Sequence, residues 1–204
     1  MKNTKIAFYL DMPNLERLDF FDYLKGNPGM GGAEYEFLLV AQMLYQRGKF
    51  DDCILLTRSQ LPGYIHSFYV ESFENACLYC EQHHVDVFII NQGQYEKIPP
   101  AYKDRLSLVL WAHNIVESGR LKNMCRDKSV KRVVFCGREF MELYYDNLVM
   151  RKSSCINNII PIQEKQWYRD KIVDGDNHNV VFMGAIIPAK GFHLLAKAWP
   201  EVVR

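Results

Sequence analysis

GNPGMGGAEYEFLLVAQMLYQRG, residues 26–48, joins two strand-like apolar runs through a glycine-rich loop and a long helix. KIAFYL (residues 5–10) precedes it and CILLT (residues 53–57) follows it. Within it, Phe37, Ala41 and Leu44 recur at helical spacing, and the pattern closes at Gly48. The sequence therefore predicts a strand, a loop, a helix over residues 32–47 and a second strand.

The alternation of apolar runs and helical patterns continues along the chain. Further strands are predicted at residues 85–90, 106–111, 132–136 and 154–160, and further helices at residues 72–83 and 139–148. Strands that are apolar on both faces and alternate with helices indicate a parallel sheet covered on both sides. We therefore expect an α/β fold with a Rossmann-like, doubly wound parallel sheet.

A second domain is predicted near the end of the chain. Residues 163–179 are polar and carry Asp174-Gly175-Asp176-Asn177, which is typical of a linker. VVFMG (residues 180–184) then predicts a strand, and a helical pattern follows Lys190-Gly191. We expect a first domain over residues 1–165, a linker over 166–178, and the first strand and helix of an incomplete second domain over 179–204.

Composition and charge exclude some classes of partner. The chain has 204 residues and a net charge of +1, so no strong field for nucleic acid is expected. The densest basic stretch, residues 120–132, predicts either a solvated helix face or a weak contact with an anionic membrane. With no secretory signal and no apolar window of about 18 residues, we expect a cytoplasmic protein with reduced cysteines, peripheral at most to the inner membrane face.

The glycine-rich loop has three interpretations. Glycines at a helix start let the backbone approach a ligand, and the free N–H groups favour phosphate or another anion. A dinucleotide fingerprint would need a third glycine where Glu34 stands. The loop is also consistent with an ordinary helix start, in which Glu34 stabilises the first turn through the helix dipole.

Five motifs in order along the chain resemble those of family-4 glycosyltransferases. They are the G-G-x-E entry Gly31-Gly32-Ala33-Glu34, Trp111-Ala112-His113-Asn114 after an apolar run, Val134 to Phe140, Asn157 to Ile162, and Val181-Phe182-Met183-Gly184 continuing through Lys190-Gly191-Phe192 to Leu194-Leu195. Each motif alone is weak, and the ordered spacing over the whole chain makes the resemblance specific.

The resemblance implies a retaining enzyme of the GT-B architecture, in which two Rossmann-like domains face each other across a cleft. Such an enzyme moves a sugar from a nucleotide-diphosphate donor to a hydroxyl on a glycan or lipid-linked acceptor, without a metal or other cofactor. Gly31 and Gly32 would line the cleft, and His113 would contact the acceptor or the transferring sugar. Gly184 and Lys190 would belong to the donor side, with Lys190 reaching the diphosphate.

The chain departs from the family pattern at two points. Ala185 stands where the family has an arginine that neutralises the diphosphate. The family's Glu-x7-Glu pair is expected about a hundred residues beyond the Gly184 motif, and residues 1–204 contain no two glutamates at that spacing. We therefore expect this chain alone to be inactive, and a non-catalytic α/β binding module or a nucleotide-sugar epimerase remain alternatives.

Several of these candidate residues can also be explained without a function. From the residues alone, His113 is explained as well by a polar loop entry, and Lys190 by an exposed first-turn lysine. Cys77 and Cys80, with His83 and His84 nearby, suggest zinc, but their helical spacing predicts a core-facing stripe instead. No metal site is expected.

Overall fold

The computed structural model describes residues 4–20, 23–24, 26–159 and 188–202. The chain divides into two units, residues 1–162 and 163–204. The domain boundaries expected from the sequence, with a linker at 166–178, stay a prediction because residues 160–187 lie outside the described part.

Within the described residues, the first unit holds seven strands in one parallel sheet. They are β1 (Lys5–Leu10), β2 (Asp52–Thr57), β3 (Ser67–Tyr69), β4 (Val87–Asn91), β5 (Leu108–Ala112), β6 (Val130–Phe135) and β7 (Ser153–Cys155). Their order is β3-β2-β1-β4-β5-β6-β7, and every neighbouring pair is parallel. The predicted α/β, Rossmann-like doubly wound fold is confirmed.

Helices cover both faces of this sheet. They are α1 (Gly32–Gln46), α2 (Phe73–Gln82), α3 (Pro100–Lys103), α4 (Ser118–Arg126), α5 (Arg138–Met141) and α6 (Asn147–Lys152). Phe37 of α1 packs against Phe8 of β1 in the core on one face. Ala7, the preceding residue of β1, belongs to the core on the other face, together with Cys77 of α2 and Met124 of α4. Successive side chains of β1 thus enter two different cores, which explains its unbroken apolar run.

The predicted helix over residues 139–148 is wrong in one respect, because the structure breaks it into α5 and α6. Tyr144 lies between them, buried, with its hydroxyl donating to the carbonyl oxygen of Val116 at 2.8 Å. Asp146 then caps the new helix by accepting the N–H groups of Leu148 and Val149. The backbone of an N-cap residue lies outside helical geometry, so the helix has to be interrupted at Asp146. The spacing of apolar residues does not show this interruption and therefore predicted one continuous helix.

The last predicted strand of the first unit is shorter than expected. β7 ends at Cys155, whereas the apolar pattern extended it to residue 160. The patterns also missed β3, α3, α4 and two 3-10 helices, Leu15–Arg17 and Gln92–Lys97. The stretch containing α4 is largely polar because the helix is exposed on most of its surface, and only Leu121, Met124 and Cys125 are buried.

The long loop between β1 and α1 is anchored to the sheet. Leu15, Phe20, Tyr23 and Met30 are buried. The N–H of Leu15 donates to Ser59 Oγ at 3.0 Å, and the Tyr35 hydroxyl donates to the carbonyl oxygen of Tyr23 at 2.7 Å. The loop therefore covers part of the α1 face of the sheet as a packed layer.

In the second unit, a 3-10 turn (Pro188–Lys190) precedes α7 (Phe192–Val202). Gly191 joins them with φ of 77°, a left-handed conformation that favours glycine. The strand predicted at residues 180–184 lies outside the described residues.

Among the described residues, none of the helices combines the length and apolar character that crossing a membrane requires.

The two-sided covering of β1 has a measurable consequence. Phe8 is 1% exposed and meets Phe37 edge-on at 6.1 Å between ring centroids. We expect Phe8→Ala to lower the free energy of unfolding by about 3–5 kcal/mol, through lost burial and the cavity that remains. Urea unfolding followed by circular dichroism measures it. Tyr145→Ala, at a side chain that is 88% exposed, is the control and should change stability by less than about 0.5 kcal/mol. Equal effects of the two variants would contradict the described packing.

Candidate functional site

A cavity of about 190 Å³ opens at the carboxyl edge of the sheet, between β1 and β4. The strand order reverses at this point, and open parallel sheets bind ligands in the crevice at such a reversal. Its lining residues come from the ends of β1, β4 and β5 and from the first turns of α1: Tyr9, Leu10, Asp11, Ala33, Glu34, Phe37, Asn91, Gln94 and Asn114. We call this cavity the switch-point pocket.

Asp11, directly after β1, is held by four neighbours. Arg58 Nη1 and the Tyr9 hydroxyl donate to Oδ1 at 3.2 and 3.4 Å. Gln94 Nε2 donates to Oδ2 at 3.0 Å, and Lys97 Nζ lies 3.6 Å from the same oxygen. Burial by itself would raise the pKa of Asp11, but the hydrogen bonds from Arg58 and Gln94 and the charges of Lys97 and Arg58 outweigh it and lower the pKa. Asp11 is therefore ionised at neutral pH and can only accept hydrogen bonds.

The sequence patterns did not single out Asp11 as a site residue. A signal was present, because a carboxylate immediately after the first strand of a doubly wound sheet lies at the ligand-binding edge.

Gln92 connects the ends of β4 and β5. It is buried, and its Oε1 accepts the N–H of His113 at 3.3 Å while its Nε2 donates to the carbonyl oxygen of Asn114 at 3.4 Å. These bonds position the backbone that carries His113 and Asn114. No pattern in the sequence singles out this glutamine.

His113 follows β5 and packs beside the switch-point pocket, although it is not one of its lining residues. Its ring centroid lies 5.1 Å from that of Trp111 and 6.1 Å from that of Phe37, which does line the pocket. Burial lowers the pKa of His113, and the negative charge of Glu34 partly opposes this effect. The imidazole is therefore neutral at pH 7, suited to hydrogen bonding rather than to carrying a positive charge.

Three buried side-chain atoms among the described residues have no hydrogen-bond partner. They are Gln94 Oε1, Trp111 Nε1 and His113 Nε2. All belong to residues at the carboxyl ends of β4 and β5. A buried polar group without a partner costs about 1–3 kcal/mol, so such groups indicate where a ligand or an ordered water binds. Gln94 lines the switch-point pocket, and the rings of Trp111 and His113 pack against Phe37 of its lining, which favours this edge as the binding site.

The glycines of the loop lie at the N-terminus of α1, next to the pocket residues Ala33 and Glu34. A Cβ on Gly31 would stand 2.1 Å from Oε2 of Glu34, whereas one on Gly32 would meet open space. The space beside Gly31 thus holds the carboxylate of Glu34. An incoming phosphate would have to displace that carboxylate, so the arrangement resembles the helix-start interpretation more than a prepared phosphate site.

Two predicted site residues belong to the end of the chain. Lys190 closes the 3-10 turn before α7 and is exposed, so it lies at a helix start as predicted. Its role towards a diphosphate stays a prediction. Gly184 lies outside the described residues.

The cysteine stripe of α2 faces the core. Cys77 and Cys80 are both buried, as the spacing predicts, and burial raises the pKa of the Cys77 thiol to about 12. Across the described ranges, no cluster of three or more His, Cys, Asp or Glu side chains is arranged to hold a metal ion.

Comparisons of the chain with protein-family models, with curated proteins and with solved structures gave no match. The motifs and the geometry of the switch-point pocket are therefore the features that bear on function.

The environment of His113 predicts its titration. We expect its imidazole to titrate below the ordinary pKa of 6.5, and Glu34→Gln to lower that pKa further because it removes the charge that opposes the shift. NMR of the imidazole protons over a pH series measures both values. Glu16→Gln, at an exposed glutamate outside the pocket, is the control and should leave the titration unchanged. An upward shift in Glu34→Gln would contradict the assigned geometry.

The same shift makes stability depend on pH. Between the lowered pKa of the folded state and the ordinary pKa, the unfolded chain binds more protons at this residue than the folded chain does. The contribution of His113 to the free energy of unfolding is therefore complete above about pH 6.5 and decreases as the pH falls towards the folded-state pKa. Urea unfolding at several pH values should show a smaller acid loss for His113→Gln than for the wild type. Identical pH profiles for the two proteins would refute the shift.

Proposed function

We propose that the first unit is the acceptor-side domain of a retaining, nucleotide-sugar-dependent glycosyltransferase of family 4. The observation that carries the proposal is the group of unpartnered polar atoms beside the switch-point pocket, Gln94 Oε1, Trp111 Nε1 and His113 Nε2. The motifs at the start of α1 and after β5 support it, since both lie next to this pocket.

The chemistry of the pocket suits a hydroxylated ligand. Asp11 supplies acceptor atoms, and Asn91 and Asn114 supply amides that both donate and accept. Sugar hydroxyls also donate and accept, so they can bond to a carboxylate and to both the oxygen and the NH₂ of an amide. Phe37 adds an aromatic wall for the apolar face of a ring. This mixture fits a sugar better than it fits a purely anionic group.

The size and charge of the pocket indicate which part of the reaction it serves. Its volume of about 190 Å³ is below the roughly 300 Å³ at which sites for drug-sized ligands begin. Glu34 and Asp11 bring two carboxylates to the lining, which disfavours a diphosphate. We therefore assign it to the acceptor hydroxyl and its sugar ring, with the donor diphosphate left to Lys190 and to the second domain that the resemblance implies.

Within this proposal, His113 is a hydrogen-bonding group. Its lowered pKa keeps it neutral, so it can donate or accept a hydrogen bond with the acceptor or the transferring sugar. Asp11 orients a hydroxyl and is itself held by Arg58 and Gln94. Gln92 positions the residues that follow β5.

A non-catalytic sugar-binding module is the second candidate. The lowered pKa of Asp11 favours it, because transfer removes a proton from the acceptor hydroxyl and a carboxylate with a lowered pKa is a weak base. The two candidates predict the same acceptor binding and differ in turnover.

Binding of glycans tests the shared part of the proposal. Titration calorimetry against a panel of mono- and oligosaccharides should find a ligand whose affinity falls about 3–10-fold in Asn114→Ala, through loss of one hydrogen bond. Asn123→Ala, at an exposed amide on α4, is the matched control and should bind like the wild type. Absence of binding to any glycan, or equal loss in both variants, would count against a sugar site.

Turnover separates the candidates. The chain, and then a version extended through any open reading frame that continues past codon 204, is incubated with nucleotide sugars with and without the glycan that binds. Release of nucleoside diphosphate that requires the glycan supports transfer. Binding without release in the extended protein supports the module, and conversion of the nucleotide sugar without any glycan would indicate an epimerase and refute transfer.

A further inference from the structure

One edge of the first unit concentrates positive charge that the net charge of the chain conceals. α4, β6, α6 and β7 contain no Asp or Glu, and four of the cations that they carry are Arg126, Lys131, Arg132 and Arg151. Lys128 lies in the turn between α4 and β6. These five cations are exposed, and we call them the basic edge.

Hydrogen bonds show that these cations are neighbours in space. Arg132 Nη1 donates to the carbonyl oxygen of Arg151 at 2.9 Å, and Lys131 Nζ donates to that of Lys128 at 2.7 Å. The partly buried Lys152 beneath them donates to the carbonyl oxygens of Asp127 and Val130 at 2.9 and 2.6 Å. The C-terminal end of α4, the entry to β6 and the end of α6 therefore form one surface.

Among the described residues, no carboxylate pairs with the basic edge. Within the described part of the chain, none of its five cations lies at ion-pair distance from an Asp or Glu. The nearby carboxylate, Asp127, accepts hydrogen bonds from Tyr95 and Ser129 instead. Two other cations of the basic sequence stretch differ, because Arg120 pairs with Glu96 and Lys122 pairs with Asp146. Arg120 and Lys122 therefore do not belong to the basic edge, whereas Arg151, which is distant in sequence, does.

Exposed apolar side chains lie on α6 and just before it. Met150, beside Arg151 on α6, is 42% exposed, and Leu143 and Tyr145, just before α6, are 53% and 88% exposed. An exposed apolar side chain next to cations suits the boundary between lipid headgroups and acyl chains. A single-stranded nucleic-acid site would instead place aromatic rings among the cations along a groove, whereas the exposed apolar residue beside Arg151 is Met150.

We propose that the basic edge docks this chain onto a membrane surface that contains anionic lipid. Each Lys or Arg near such a surface contributes about 1 kcal/mol, which corresponds to roughly fivefold in binding. Met150 enters the headgroup region and adds a contribution that salt does not screen. The proposal does not depend on glycosyl transfer, since it concerns a different surface from the switch-point pocket.

Vesicle flotation with the full chain tests the proposal. Vesicles of phosphatidylcholine mixed with phosphatidylglycerol should bind the wild type, and vesicles of phosphatidylcholine alone should bind it far less. Lys131→Gln with Arg132→Gln should reduce binding about 25-fold, because two contributions of roughly fivefold are lost. Arg47→Gln with Lys49→Gln removes the same charge from exposed residues at the end of α1 and should leave binding within about twofold of wild type.

Two further measurements make the test decisive. Met150→Ser should weaken binding while leaving its salt dependence unchanged, whereas a purely electrostatic surface would not respond to it. Circular dichroism melting shows that each variant is folded. Equal binding to neutral vesicles, equal loss in the two double variants, or tighter binding to duplex DNA, RNA or an acidic polysaccharide than to the anionic vesicles would overturn the proposal.

Discussion

Covering an all-parallel sheet on both faces is the constraint on which the rest of the first unit depends. Parallel strands need crossover connections, so helices have to lie on both sides and the strands have to be apolar on both faces. β1 satisfies this by directing Phe8 into one core and Ala7 into the other. Because every strand points the same way, all of their carboxyl ends meet at one edge. The strand order reverses between β1 and β4, and the crevice there becomes the switch-point pocket.

The pocket combines side chains that are firmly held with others that lack partners. Asp11 is fixed by Arg58 and Gln94, and Gln92 fixes the backbone after β5. Behind its lining residue Phe37, Trp111 Nε1 and His113 Nε2 are buried without partners among the described residues. Stability alone would favour satisfying or removing such groups, since each unmade bond opposes folding. A fixed carboxylate beside unsatisfied donors and acceptors is what recognition of a hydroxylated ligand requires, because the ligand then makes bonds that the free protein lacks.

Charge is distributed unevenly over the first unit. Near-neutral composition led to the expectation of no strong field, and for the whole chain that expectation follows from a net charge of +1. The folded structure nevertheless concentrates positive charge on one surface. Folding brings Arg151 beside Arg132, whereas ion pairs with Glu96 and Asp146 neutralise Arg120 and Lys122. The pocket side carries carboxylates and the basic edge carries cations. The anionic layer and the polar ligand that we propose would therefore meet different surfaces of the first unit.

Local patterning determined the fold class and most of the elements. Continuous apolar runs specified β1, β2, β4, β5 and β6, and helical spacing specified α1 and α2 within a few residues. The pattern also directed attention to the α1 entry and to His113, because motifs are contiguous in the chain. Features that depend on residues far apart in the sequence were decided by the tertiary structure. The break before α6 depends on Asp146 as a cap, and the roles of Asp11, Gln92 and Gln94 depend on strands that are distant in sequence but adjacent in the sheet. Periodicity records which side of an element is buried, whereas a site and a charged surface are formed by residues that only the packing of the sheet brings together.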